Sequence, residues 1–316
     1  MAQITIGIPS YRQPQYLQRA VAALQAQTLA DWELWICDDA SGDDSVPVAH
    51  ALAEADNRVH VCADEKNKGL AANFAQCARY GTADWLLLCA ADDVLAPDFL
   101  ERAIQSAQQC PDCGMICGRR VQRYPSGRLR PYPPIFVGRQ AAGSTVARAL
   151  TNGNLYGLYS SVVLRRAAMM EAGGLGTDNA WAGDFDLFVR MAARFPVFFD
   201  EKMQCEQWID PHTQTRQMAQ DGRIVRGERQ MLEHVLAQKA VRSRLTSRQV
   251  QAAWQRILAM GILLGGAAAV KGNFRGAQDN WQAAWEVRRQ AGPLASWRHV
   301  GPTLLRLAMQ RSQLRY

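Results

Sequence analysis

Two adjacent carboxylates, Asp92 and Asp93, close the apolar run Trp85-Leu86-Leu87-Leu88-Cys89-Ala90-Ala91. Such a run, short and bounded by polar residues, predicts a strand over 84–93 buried on both faces of a parallel sheet. Its carboxyl end is where open α/β sheets bind ligands. Two carboxylates held together there repel each other and call for compensation. A divalent cation carrying a diphosphate supplies it, since Mg²⁺ favours one or two carboxylates plus phosphate oxygens. The alternative is a helix cap, with Asp92 or Asp93 accepting from free backbone N–H groups ahead of the helix 98–109.

The elements that must position these acids are legible upstream. Ile4, Ile6 and Ile8 alternate into Pro9-Ser10-Tyr11, a strand followed by a polar turn. Leu17, Val21, Leu24 and Thr28 recur at helical spacing, and 33–37 forms a second strand ending in Asp38-Asp39-Ala40-Ser41. A helix to about 55, a short strand 58–62 and a helix 70–80 opened by Asn67-Lys68-Gly69 complete the pattern. Alternating strands and helices with short connections predict a doubly wound, mainly parallel sheet. Ser10, Asp39 and the Asp92/Asp93 pair then fall on one rim, delivered by three strands. That convergence favours a binding site over three unrelated caps.

These pieces carry a resemblance. Ile8-Pro9-Ser10-Tyr11, the block from Gln27-Thr28 to Asp38-Asp39-Ala40-Ser41, Asn67-x-Gly69, and Ala91-Asp92-Asp93 as a degenerate DxD motif resemble, in order and spacing, the nucleotide-binding half of a family-2 glycosyltransferase of the GT-A type. The resemblance covers residues 4–110 and implies a donor site for a nucleoside-diphosphate sugar with Mg²⁺ or Mn²⁺. It implies that Asp39 meets a uracil or thymine imide, that Pro9, Ser10 and Tyr11 line the base, and that Asn67 and Gly69 belong to the same site. Asp92 would meet the ribose and Asp93 the metal. An acceptor-only carboxylate suits an imide N–H.

Farther along, 119–150 reads as a long basic, proline-rich loop and 155–164 as a strand. Ala182-Gly183-Asp184-Phe185 resembles the family's acidic "ED" segment, with Gly183 in place of the first acid. The resemblance makes Asp184 the catalytic base; a helix cap is the other reading, and Asp186 is expected to be structural. Residues 206–215 resemble a distal R-x-H segment that has lost its arginine, leaving His212 as either a metal ligand or a structural histidine.

The whole chain has 316 residues, 48% of them hydrophobic and 21% charged, a globular composition. We expect a GT-A type domain over 1–212, with a nucleotide-binding half 1–110 and an acceptor half 111–212, and a helical extension over 213–316. Charge is uneven: residues 213–316 hold 17 Lys+Arg against 5 Asp+Glu, whereas 1–212 hold 19 against 24. The basic end fits peripheral contact with a membrane surface or a further copy of the chain; a nucleic-acid partner is not expected. The 14-residue apolar stretch 257–270 is too short to span a bilayer and predicts a buried helix. No secretory leader is expected ahead of the first strand. The eight cysteines are expected to be reduced, with no zinc at Cys110-x-x-Cys113, as in a cytoplasmic protein at the inner face of its membrane. The expected partners are a nucleotide-sugar donor and a glycan or glycolipid acceptor, in lipopolysaccharide, capsule or exopolysaccharide synthesis. One alternative is a sugar-phosphate nucleotidyltransferase, for which 10–15 lacks the glycine-rich basic loop. The other is a non-catalytic nucleotide-sugar-binding partner of a synthase.

Overall fold

The computed structural model describes residues 2–133, 135–176, 182–209 and 218–292. In chain order the strands and helices are β1 (Ile4–Ser10), α1 (Pro14–Gln25), β2 (Trp32–Asp38), α2 (Ser45–Ala55), β3 (Val59–Ala63), α3 (Leu70–Cys77), β4 (Trp85–Leu88), β5 (Val94–Leu95), α4 (Phe99–Gln109), β6 (Met115–Arg123), β7 (Leu129–Pro131), β8 (Gly138–Gln140), α5 (Val146–Asn152), β9 (Val162–Arg165), α6 (Arg166–Glu171), α7 (Gly183–Arg194), β10 (Val197–Trp208), α8 (Arg223–Ala237), α9 (Lys239–Arg242), α10 (Ser247–Val270), α11 (Phe274–Glu286) and α12 (Arg288–Ala291). They form two compact units, Met1–Thr145 with Leu155–Asp210, and Val146–Asn154 with Pro211–Tyr316. Helix α5 thus belongs with the second unit.

The first unit is built on a ten-stranded sheet in the order β3-β2-β1-β4-β9-β6-β10-β5, with β7 on β6 and β8 on β10. Strands β3, β2, β1 and β4 are mutually parallel. All seven residues of β1 are buried, as a strand covered on both faces requires. On one face Ile4, Ile6 and Ile8 join Leu17, Val21 and Leu24 of α1 and Phe99, Leu100 and Ala103 of α4 in one core. On the other, α3 approaches so closely that a Cβ on Gly7 would lie 2.7 Å from Cys77 Cβ.

The expected strand over 84–93 is shorter than the apolar run. It leaves the sheet after Leu88, and the Asp93 N–H closes a turn on the Ala90 carbonyl at 3.1 Å. The chain then pairs antiparallel with β10 through β5. The region 119–150 is not a loop. β6 continues to Arg123 and turns back as β7, its arginines stacked on tyrosines: Arg120 and Arg130 over Tyr132, and Arg128 over Tyr124. The strand expected over 155–164 begins only at Val162, because Gly153 and Gly157 take φ of +105° and +129° and 159–161 form a 3₁₀ turn. Strand β10 was not foreseen; its exposed middle, Glu201 and Lys202, breaks any apolar pattern. Cys110 and Cys113 are disulfide-bonded, against the expectation of reduced thiols, because the tight turn brings their Cα atoms to 5.3 Å. The other six cysteines are free. Asp112, whose carboxylate could join these sulfurs around a cation, instead pairs with Arg139.

In the second unit the apolar stretch 257–270 is part of the 24-residue α10. By length and composition this helix could cross a membrane, yet 61% of its most apolar window is buried in the fold. Thr246 caps it, accepting from the Gln249 N–H, and Gln249 returns a contact to the Thr246 N–H. One buried ion pair ties three helices: Arg256 Nη2 donates to Glu228 Oε2 at 2.6 Å and Arg256 Nε to the Leu150 carbonyl at 2.8 Å. Removing the cation strands a buried carboxylate and a carbonyl. Arg256→Met should therefore lower stability by about 3–5 kcal/mol, read as a drop in the urea midpoint of the full chain; an unchanged midpoint would mean that water replaces the pair.

Candidate functional site

At the rim formed by β1 and β2, Ser10 lies opposite Asp38 and its carbonyl accepts the Asp39 N–H at 2.9 Å. Asp39 is 2% exposed, and its two oxygens accept the Lys68 and Gly69 N–H groups at 2.6 and 2.8 Å. Asn67 Nδ2 adds a bond to the Asp39 carbonyl at 3.2 Å. Gly69 sits at φ +87°, a conformation glycine adopts without strain, and this aims its N–H at the carboxylate. Asp39, Asn67 and Gly69, widely separated in sequence, are therefore one latch. Beside it Asp38 accepts from the Ser41 N–H and hydroxyl, and the Arg12 N–H donates to Ser41 Oγ. Arg12 and Ala40 hold φ of +55° and +57°, which costs free energy in non-glycine residues.

Pro9 and Ser10 are buried, whereas Tyr11 is exposed with the Arg12 guanidinium against its ring. Ser10 Oγ and Asn73 Oδ1 are buried without a hydrogen-bond partner. Asn73 Nδ2 meanwhile binds the carbonyls of Ser10 and Cys37. Unsatisfied polar atoms are rare in native interiors, and these two lie beside the Asp38–Asp39 rim.

Asp92 is half-buried and Asp93 is 5% exposed, in the turn that leaves the sheet after β4. Burial and then the neighbouring charge of Asp92 push the Asp93 pKa up to about 7, while hydrogen bonds from Ser160 and the Trp208 backbone and the charge of Arg120 pull it down. Ser160 Oγ also accepts the Ala90 N–H at 2.9 Å. The Arg19 guanidinium donates to the Asp92 carbonyl and lies over the Tyr16 and Trp208 rings. Arg19, Asp92, Val94, Arg123, Glu206 and Trp208 line a cleft of about 270 Å³, with Arg123 Nε donating to Glu206 Oε2 at 2.6 Å.

Asp184 is in the first turn of α7 and accepts the Phe185 N–H at 2.6 Å; the N-cap itself is Ala182. Tyr159 is enclosed by Phe74 and Phe188 at ring distances of 4.7 and 5.8 Å. Burial raises its pKa, followed by the charges of Asp184 and Asp186. A Cβ on Gly183 would lie 3.4 Å from the Tyr159 hydroxyl. That hydroxyl stands against the position where the resemblance expects an acid. Asp186 forms a buried pair with Arg190, whose guanidinium also reaches the Ala172 and Gly174 carbonyls. One 3₁₀ turn thus serves both acids: Tyr159 faces Asp184, and its neighbour Ser160 binds Asp93. His212 and Trp181 lie outside the described residues.

Sequence reasoning passed over Ser160 and Arg19. Ser160-Ser161, two hydroxyls inside an apolar run, was the available signal. Arg19 had none, because one arginine on an amphipathic helix reads as solvated.

Folding raises the Asp93 pKa above that of an unfolded carboxyl, so the protonated group favours the folded state and ionisation erodes that contribution as pH rises from about 4 to 7. With chelator present, Asp93→Asn should melt above the wild type near pH 8 and alongside it near pH 4. Parallel melting curves across that range would refute the buried ionisation.

The family model described as "Glycosyl transferase family 2" matches residues 5–172. Chondroitin synthase of Escherichia coli is 24% identical over 205 residues, 60% of this chain and 26% of the synthase. This chain spans less than two thirds of the length of the curated relatives it matches. Among solved structures, Staphylococcus aureus TarS 1–349 in complex with UDP-GlcNAc superposes with a TM-score of 0.62 at 13% identity over 92% of each chain. The mannosyltransferase PcManGT of Pyrobaculum calidifontis, in complex with GDP-Man and Mn²⁺, gives 0.58 at 14% identity over 99% of this chain and 88% of that one. The parallel β3-β2-β1-β4 half-sheet and the family match over more than half its length together establish that this chain belongs to glycosyl transferase family 2, with a GT-A fold.

Proposed function

We propose that the chain transfers a sugar, with inversion, from a UDP- or dTDP-sugar to a hydroxyl of a glycan or glycolipid acceptor. The setting is bacterial lipopolysaccharide, capsule or exopolysaccharide synthesis at the cytoplasmic side. The observation that carries this reading is the Tyr159–Ser160 turn: Ser160 bonds to Asp93 and to the Ala90 N–H, and the Tyr159 hydroxyl lies beside Gly183 at the helix start that bears Asp184.

The residues suit a divalent cation. Asp93 is a buried carboxyl beside a second acid, its pKa raised to about 7. Such a group is only partly ionised near neutral pH, an arriving positive charge would complete its ionisation, and its hard oxygen suits Mg²⁺ or Mn²⁺. Asp93 would hold the ion. Bound there, the cation would neutralise charge on the departing diphosphate.

The remaining roles fall to the chain's own groups. Asp39 keeps lone pairs beyond those given to Lys68 and Gly69, and one would accept a base imide N–H. Pro9, Ser10 and Tyr11 would line the base, with Asn67 and Gly69 closing the site, and Asp92 would meet the ribose. The Trp208 cleft would take the acceptor ring. As the acceptor oxygen bonds to the anomeric carbon and the bond to the diphosphate oxygen breaks, Asp184 would take the hydroxyl proton.

Calorimetric titration of UDP with and without Mn²⁺, paired with donor-hydrolysis and transfer assays, tests this reading. Asp93→Ala should abolish turnover and remove the Mn²⁺-dependence of UDP binding. Asp184→Asn should lower turnover by about 10²–10⁴-fold while UDP binding survives. Near wild-type transfer by the Asp184 variant would make that residue a helix-terminal acid and nothing more; full turnover by a folded Asp93 variant would sink the donor-site assignment.

A further inference from the structure

Helix α11 separates its small and aromatic residues. Gly276, Ala277, Asn280, Ala283 and Ala284 are buried. Two glycines of α10 admit the helix: a Cβ on Gly261 would lie 2.6 Å from Ala284 Cβ, and one on Gly265 would lie 2.3 Å from Trp281 Nε1, so one edge of the Trp281 ring rests on α10. Alongside that face run the aromatics, with Trp281 at the border. Phe274 is 74% exposed, Trp281 47% and Trp285 57%, and Val270 at the end of α10 is 90% exposed. Intervals of seven and four residues place the three aromatic side chains within about 40° of one another around the helix. Lys271, Arg275, Arg288 and Arg289 flank this stripe in sequence, and the Arg288 guanidinium lies 3.9 Å from the Trp285 ring centroid. Of the two acids nearby, Asp279 and Glu286, the second is paired with Arg229.

Four large apolar side chains exposed together on one helical hairpin form a patch that a folded unit does not keep without use. Their chemistry indicates the occupant. Tryptophan and phenylalanine partition to the headgroup level of a bilayer, and lysine and arginine around them meet acidic lipid headgroups. A second copy of the chain fits less well: a two-fold contact would set the same flanking cations against each other, within a segment holding 17 Lys+Arg and 5 Asp+Glu. We propose that the Val270–Phe274–Trp281–Trp285 face docks onto an anionic lipid bilayer. The aromatic rings enter the headgroup region and Lys271, Arg275, Arg288 and Arg289 provide a salt-sensitive attraction. This docking is independent of the sugar-transfer reading.

Flotation of the full chain with phosphatidylcholine vesicles, with and without phosphatidylglycerol, tests it. The wild type should float with the anionic vesicles at low salt, and binding should fall as salt rises. The double variant F274S/W285S should lose about tenfold or more of that binding, with its melting temperature and UDP affinity unchanged. Should that variant unfold, F274S alone, altering the more exposed ring, takes its place. Absence of wild-type binding to anionic vesicles, or equal binding by the folded variant, overturns the proposal. A wild-type dimer that the variant converts to monomer in sedimentation, without vesicle binding, also overturns it and assigns the face to a second copy.

Discussion

A buried carboxylate at the end of a short strand sets much of the first unit's geometry. Asp93 is withdrawn from water and placed beside Asp92, so it must be held by hydrogen bonds drawn from elsewhere in the chain. Ser160 reaches it from the 3₁₀ turn ahead of β9, and the Trp208 backbone reaches it from the end of β10. These partners come from about 70 and 115 residues downstream. Gln27 steadies the exit of the same turn, donating to the Ala96 carbonyl and accepting from the Leu100 N–H. Segments far apart in the chain therefore meet at one acid.

The halves of the sheet differed in how openly the sequence announced them. β1 to β4 follow a strand–helix alternation in which apolar runs end on polar residues, and β1, β2 and β3 pair with their neighbours in sequence before β4 returns to the other side of β1. Ser10, Asp39 and Asp93 were readable because they interrupt those runs. Beyond Gln109 the logic changes. β9 enters antiparallel between β4 and β6, and β10 runs beside β6 with a register shift between Phe199 and Gln204. A bulged strand with an exposed charged middle has no period to detect. The arginines of 119–130 looked like a solvated loop because stacking on Tyr124 and Tyr132 is a three-dimensional property. The pairing of Cys110 with Cys113 depends on the local turn, which composition does not report.

The helical unit follows another rule. Its packing adds close helix approach at small residues to an apolar core that includes Met231, Leu232, Val235 and Ile257: Gly261 and Gly265 admit α11, and Gly276 leaves no room for a Cβ against the Gln220 carbonyl. Such close approach directs Phe274 and Trp285 outward and leaves Trp281 at the edge of the seam. The exposed aromatics and the glycine-rich seam are two sides of the same arrangement.

The Asp39 latch has an evolutionary consequence. The carboxylate expected to read the base also shapes the loop that would enclose it, because the Lys68 and Gly69 N–H groups depend on its two oxygens. Replacing it to accept a different base would dismantle the loop as well, so single substitutions at this position face a fitness valley. The Arg123–Glu206 pair beside the Trp208 cleft bears no such double duty on the rim. Divergence within this lineage would therefore proceed asymmetrically, conservative toward the nucleotide and permissive toward whatever occupies the cleft.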